Sequence, residues 1–135
     1  MGSFGDVLEN ALLNHVFQCG GANYTPPAGN IHVALSTADP GEAGAGIAEP
    51  SGGSYARVAV PAANWATAAN GVVTNANDVT FTACTVAWGT IAHFALFDAN
   101  VAGNMLAYGA LSVAKAVAAG DVPKFITGDI VISLT

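Results

Sequence analysis

The sequence contains very few charged residues. Asp, Glu, Lys and Arg together make up 9% of its 135 residues, whereas hydrophobic residues make up 53%. A typical globular domain carries about 25% charged residues, and a freely soluble monomer usually covers its surface with charges of both signs. A surface of small neutral side chains loses little hydration energy when it contacts another protein. The composition therefore favours a subunit that remains in contact with neighbouring subunits.

Basic residues are scarcer still. Only Arg57, Lys115 and Lys124 are positive, and the formal net charge is −6. Binding to nucleic-acid phosphates requires clustered Lys and Arg, and attraction to anionic membrane surfaces requires the same. We therefore expect neither nucleic acid nor a membrane as a partner.

Long apolar runs and a secretion signal are also missing. No run reaches the ~18 residues of a membrane-spanning helix. The first residues, MGSFGD, lack the basic start and apolar segment of a signal peptide. We expect a protein made in the cytoplasm, in which Cys19 and Cys84 are buried free thiols and not a disulfide.

No sequence motif for catalysis, a cofactor or a metal ion is recognisable. A nucleophile elbow, a phosphate-binding loop and a zinc pattern are all missing from the sequence. Cys84 and His93 are a formal nucleophile and base, but the small residues around Cys84 are typical of a core. Asp39 and Glu42 could donate oxygens to calcium, although their spacing matches no known calcium loop. We therefore expect a protein that is not an enzyme and has no cofactor or metal ion.

The N-terminal segment predicts an α-helix over residues 3–19. Ser3 is a candidate N-cap. Apolar residues then recur at intervals of four, which is the spacing of one helix face, and His15 lies beside them. The repeating residues are Leu8, Leu12 and Val16.

Residues 31–135 predict a β-sandwich with a long surface loop over residues 37–54. Short stretches such as 31–36 and 130–135 alternate between apolar and polar side chains. Turn signals recur about every ten residues, as in antiparallel sandwiches and jelly rolls. The loop is rich in Gly and Pro and shows no periodic pattern. The expected fold is mainly β, a single antiparallel β-sandwich or jelly-roll-like domain over residues 1–135 with one N-terminal α-helix.

Two residues of the strand region are candidates for specific contacts. Arg57 lies in a strand-like segment, and a lone charge in apolar surroundings is costly. We expect Arg57 to pair with a carboxylate, within the subunit or across an interface. Trp65 is either an apolar anchor, the commoner use of an aromatic residue, or part of a sugar-binding surface with Tyr55.

Five blocks of the sequence carry a family resemblance. They are LENALLNHVF, IHVALSTADP, SGGSYARVAV, NGVVTNANDVTF and WGTIAHFALFDA. The most specific feature is Glu49 followed by the Gly-Gly-Ser-Tyr-Ala-Arg run that ends at Arg57. Together the blocks resemble a family of small bacteriophage virion proteins that are often labelled tail-fibre proteins. The resemblance implies a structural protein of the virion, made in the host cytoplasm, and it implies no catalytic residues.

Two structural roles in a virion remain open from the sequence. Fibres usually show heptads, β-helical repeats or collagen-like tracts, and none is visible in this sequence. We therefore expect a capsid cement or decoration protein that binds the major capsid protein and copies of itself, with a homotrimer as one arrangement. The alternative is a tail or tail-fibre component that contacts the host surface and binds a glycan. The residues expected at interfaces are Leu8, Leu12, His15, Asp39, Glu42, Arg57 and Trp65.

Overall fold

The computed structural model describes residues 1–21 and 23–134. Ala22, and Thr135 at the end of the last predicted strand, lie outside the described residues. The helix is α1 (Asp6–Phe17), and a short 3-10 turn spans Ala62–Asn64. The strands are β1 (Gly2–Phe4), β2 (Asn30–Ser36), β3 (Val58–Pro61), β4 (Val72–Thr74), β5 (Val79–Thr80), β6 (Gly89–Phe97), β7 (Met105–Val117), β8 (Lys124–Phe125) and β9 (Val131–Ser133).

Most strands form one curled sheet of seven strands in the order β3-β2-β6-β7-β1-β9-β4. Neighbouring strands are antiparallel except for β1 and β9, which are parallel. Strands β5 and β8 form a separate two-stranded ribbon. The predicted fold class is confirmed: over the described residues the chain is mainly β, has one α-helix, and resembles a β-sandwich. The jelly-roll topology stays a prediction.

Both faces of the large sheet are buried at its central strands. Val33 and Leu35 of β2 point into the main core, whereas Ala34 between them belongs to a smaller cluster on the opposite face. Phe125 of the β8 ribbon packs against the main core. Trp88 belongs to the main core and is 5% exposed. Burial on both faces explains why Phe94 and Leu96 on one face of β6, and Ala95 and Phe97 on the other, are all apolar.

The predicted start of the helix at Ser3 is wrong. Ser3 lies in β1, opposite Tyr108 of β7, and the helix begins only at Asp6 with Gly5 as its N-cap. Pairing of β1 with two distant strands outweighs the local capping pattern, which is visible in the sequence while the pairing is not. The helix ends at Phe17, because Gln18 adopts a left-handed conformation with φ of 56°. The predicted bounds 3–19 are therefore too wide at both ends.

The 37–54 loop contains no strand or helix, as predicted, and it packs on the sheet. The backbone N–H of Thr37 donates to the carbonyl of Ala48 at 3.0 Å. The buried hydroxyl of Ser36 accepts a hydrogen bond from the N–H of Ala48 at 3.0 Å. Ile47 packs against the smaller apolar cluster of the sheet. The loop therefore forms a covering layer of the domain.

The two cysteines differ in environment. Both are free thiols, as expected, but only Cys84 is buried. Cys19 follows the end of α1 and is exposed, contrary to the prediction, as are Val16 and Phe17 in the last turn of the helix.

Candidate functional site

The guanidinium group of Arg57 is enclosed by acceptors of its own subunit. Its Nε and Nη2 donate to the two carboxylate oxygens of Glu49, at 3.0 and 2.7 Å. Its Nη1 donates to the carbonyls of Ala99 and Ala102, at 2.9 and 2.8 Å. The prediction that Arg57 pairs with a carboxylate is confirmed, and the partner lies within the subunit.

This ion pair is largely shielded from solvent. The side chain of Arg57 is 7% exposed and that of Glu49 is 23% exposed. The guanidinium carbon lies 3.7 Å from the ring centroid of Phe97, a cation–π contact. Burial raises the pKa of Glu49, but hydrogen bonds from Arg57 and Tyr55 and the charge of Arg57 outweigh it and hold this pKa below its usual value.

Tyr55 connects the ion pair to the core. Its hydroxyl donates to Glu49 Oε1 at 2.7 Å and accepts from the backbone N–H of Leu35 at 3.0 Å. Its ring packs edge-on against Trp88, with centroids 5.2 Å apart. Burial first, and then the neighbouring carboxylate, raise the pKa of Tyr55 far above its usual range. Tyr55 therefore has a structural role, because it links the ion pair to strand β2 and to the aromatic core.

Close packing requires a glycine at position 53, two residues before Tyr55. Gly53 has φ of 58°, and its carbonyl accepts a hydrogen bond from Trp88 Nε1 at 3.0 Å. A Cβ on Gly53 would collide with the carbonyl oxygen of Val86. The Gly-Gly-Ser-Tyr-Ala-Arg run carried the family resemblance. Through the contacts of Tyr55 and Arg57, this run joins the 37–54 loop to β2 and to the β6–β7 turn.

The loop carboxylates predicted at interfaces are exposed and hydrogen-bonded. Glu42 accepts from the Tyr108 hydroxyl at 2.7 Å, and this hydrogen bond is the largest cause that raises the pKa of Tyr108 to about 12. Asp39 accepts from the N–H of Gly41 at 3.0 Å and lies 4.0 Å from His93 Nε2. Asp39 and Glu42 therefore stabilise the loop and its contact with the sheet.

Carboxylates also gather at the start of the helix. Oxygens of Asp6, Glu9 and Glu42 lie within 4.8 Å of one another, and all three residues are exposed. Asp6 and Glu9 occupy the first turn of α1, where the helix dipole favours negative charge.

The second half of α1 exposes an apolar surface. Leu8 is the buried residue of the helix, Leu12 is half-buried and His15 is exposed. Leu13, Val16 and Phe17 are 55%, 68% and 72% exposed. We call Leu12, Leu13, Val16 and Phe17 the helix patch. Leu13, Val16 and Phe17 were absent from the predicted interface, although their spacing of three and four residues already marks a second apolar face.

An apolar cavity lies beside Leu8, in the first half of α1. Its volume is about 370 Å³, and Leu8 and Trp65 both line it together with Tyr24, Pro26 and Pro27. Trp65 is half-buried against the main core, and its Nε1 is buried without a hydrogen-bond partner among the described residues. Of the predicted interface residues, Leu8 and Trp65 thus come together, while Asp39, Glu42 and Arg57 lie in or against the loop.

The helix patch belongs to an uncharged stretch of the chain. Residues 10–38 contain no Asp, Glu, Lys or Arg. This stretch supplies the patch as well as Tyr24, Pro26 and Pro27 at the cavity. An apolar, uncharged surface of this kind is typical of a contact with another protein.

Comparison with known families decides the identity of the chain. Residues 3–133 match the model of a family described as podophage GP4 fiber I protein gp80. The chain belongs to this family. The resemblance in the sequence blocks is confirmed, and membership in this fibre family identifies a bacteriophage structural protein and fits a location in the virion. A search of curated proteins finds no match. Among the described residues, none of the helices has the length and apolar character to cross a membrane.

Proposed function

We propose that the chain is a structural subunit of the fibre apparatus of a bacteriophage tail and that it acts by contact, without catalysis. The match of residues 3–133 to a family described as a fibre protein carries the proposal. It favours the tail-fibre alternative of the sequence analysis over the cement hypothesis. The Arg57 and Tyr55 cluster is consistent with a structural role, because its polar groups bind one another.

The helix patch is the surface through which copies of the chain associate in this proposal. Burying Leu13, Val16 and Phe17 removes apolar area from water, worth about 25 cal/mol per Å² before the costs of association. Each copy carries a net charge of −6, so most contacts between copies bring like charges together. The uncharged stretch over residues 10–38 avoids this repulsion. The partners are therefore other copies of the chain, with a homotrimer as one arrangement, and the fibre proteins next to them.

A capsid cement protein is the second candidate. It is supported by the packing of the 37–54 loop on the sheet, which makes a globular module that could cover a seam between coat subunits. In this role the helix patch would contact the major capsid protein.

Separation of heads from tails tests the proposal. Purified particles would be dissociated, heads and tails resolved on a gradient, and the chain quantified in each fraction by mass spectrometry. Recovery with tails supports the fibre role, and recovery with heads supports the cement role. Failure to find the chain in either fraction would overturn both.

A further inference from the structure

A second, larger cavity lies between β7 and the β5–β8 ribbon. Its volume is about 570 Å³, within the roughly 300–1,000 Å³ of small-molecule sites. The floor is aromatic and aliphatic: Phe81, Ile91 and Phe94 are each 2% exposed, and Phe125 is half-buried. Phe125 packs edge-on against Phe81 and Phe94, with centroids 6.3 and 5.8 Å apart. Phe125, together with Leu111 and Val113, therefore supplies accessible apolar surface to the cavity, and the buried side chains lie beneath it.

A large bulge in β7 forms one wall of this cavity. Ile91 of β6 pairs with Lys115, whereas His93 pairs with Ala110. Residues 111–114 therefore stand opposite Ala92 alone, and they curve away from β6. Residues 111–113 line the cavity.

Lys115 stands where the bulge rejoins the sheet and lines the same cavity. Because directly opposite residues of an antiparallel pair share a face, its side chain lies on the same face as the buried Ile91. The other positive side chain at the cavity, Lys124, lies 3.4 Å from Asp78. Lys115 has no ion-pair partner among the described residues.

Two acidic residues also line the cavity, and each accepts a hydrogen bond within its own turn. Asp121 accepts from the N–H of Ala118 at 2.9 Å, and Asp129 accepts from the N–H of Ile126 at 3.3 Å. Two of the three cations of this acidic chain thus lie at one cavity, and the ammonium group of Lys115 is available to a ligand.

We propose that this cavity binds a small amphipathic anion, a molecule with an apolar body and one carboxylate or phosphate group. The body would contact Phe125 and the apolar side chains of Leu111 and Val113, and Lys115 would contact the anionic group. The proposal concerns a ligand of the subunit and holds whether the subunit sits on a fibre or on a capsid.

NMR titration of the full chain tests the proposed ligand site. The four probes are octanoate, octyl phosphate, octanol and acetate, and binding is followed by the shifts of backbone amide signals. We expect octanoate or octyl phosphate to shift signals around Phe125 and Lys115, and the stronger of the two identifies the head group. Octanol should bind about tenfold more weakly, since it lacks the charge, and acetate should not bind.

Variants of Lys115 separate a specific site from simple apolar uptake. K115Q should weaken binding of the anion about tenfold and leave octanol binding unchanged, while K115R should restore the anion affinity. Circular dichroism would confirm that both variants fold. The proposal is overturned if neither anion binds, if the shifts lie away from this cavity, or if K115Q leaves anion affinity unchanged.

Discussion

Arg57 and Glu49 form a bidentate ion pair in which both carboxylate oxygens accept hydrogen bonds from one guanidinium group, at 3.0 and 2.7 Å. The remaining donor nitrogen binds the carbonyls of Ala99 and Ala102 in the β6–β7 turn. One side chain thereby joins the 37–54 loop to the turn between the two central strands. The geometry is specific to arginine, because the ammonium group of lysine cannot form two parallel hydrogen bonds to a carboxylate.

Removal of this guanidinium group should destabilise the fold strongly. We predict that Arg57→Ala lowers the free energy of unfolding by about 3–5 kcal/mol, because the partly buried carboxylate of Glu49 loses its partner. Urea denaturation measures the change. Lys124→Ala is the matched control and should change stability far less, since the pair of Lys124 with Asp78 is 51% and 45% exposed. Equal stability of the Arg57→Ala variant and the parent would refute the structural role of the pair.

Acid should destabilise the fold in part through Glu49. Its pKa lies below the ordinary value of 4.5. The stability that Glu49 contributes is therefore present above its pKa in the unfolded chain, and it is lost as the pH falls through its pKa in the folded protein. We predict that the free energy of unfolding decreases between about pH 5 and pH 2, and that Glu49→Gln shows a shallower decrease. Urea titrations of both proteins over this range provide the comparison. Identical pH slopes would mean that Glu49 does not contribute.

The close pairing of strands β1 and β7 depends on two glycines. Gly2 lies opposite Gly109, and a Cβ on Gly109 would come within 2.7 Å of the Gly2 Cα. We predict that Gly109→Ala displaces β1 and lowers stability by about 1–3 kcal/mol, with faster amide hydrogen exchange in β1 and β9. Ala110→Ser, at the adjacent exposed position, is the control. Unchanged exchange in β1 of the Gly109→Ala variant would contradict the prediction.

Polar substitutions in the helix patch should weaken self-association without unfolding the subunit. We predict that the Val16→Ser, Phe17→Ser double variant shifts the protein toward monomer in sedimentation velocity experiments, because it removes exposed apolar area from the contact. Its urea midpoint should remain close to that of the parent. Val86→Ser, which alters a residue of 65% exposure outside the helix, is the control. Loss of association in Val86→Ser alone, or none in the double variant, would exclude the patch as the contact.

The sequence predicts the fold best where its periodicity is long. The alternation of apolar and polar residues predicts strand β2, and a run with apolar residues on both faces predicts strand β6. The Gly and Pro content predicts the 37–54 loop. β1 and β8 could not be predicted, because Gly2–Phe4 and Lys124–Phe125 are too short to show a period and are fixed by distant partners.

The site was predictable to a smaller degree. A carboxylate partner for Arg57 follows from the cost of a buried charge, but the choice of Glu49 depends on how the loop folds back. The helix pattern predicts one apolar stripe, yet the structure buries only Leu8 of α1. The exposure of Val16 and Phe17 depends on where the helix leaves the sheet, which composition and spacing do not encode.

Cryo-electron microscopy of the particle that carries this chain tests the central claim most directly. We predict density for the β domain in the tail fibres, with α1 of neighbouring copies in contact through Leu13, Val16 and Phe17. Density confined to the capsid lattice would contradict the fibre assignment and support the cement role. Fibre density in which the helix patch of every copy faces solvent would contradict the proposed contact.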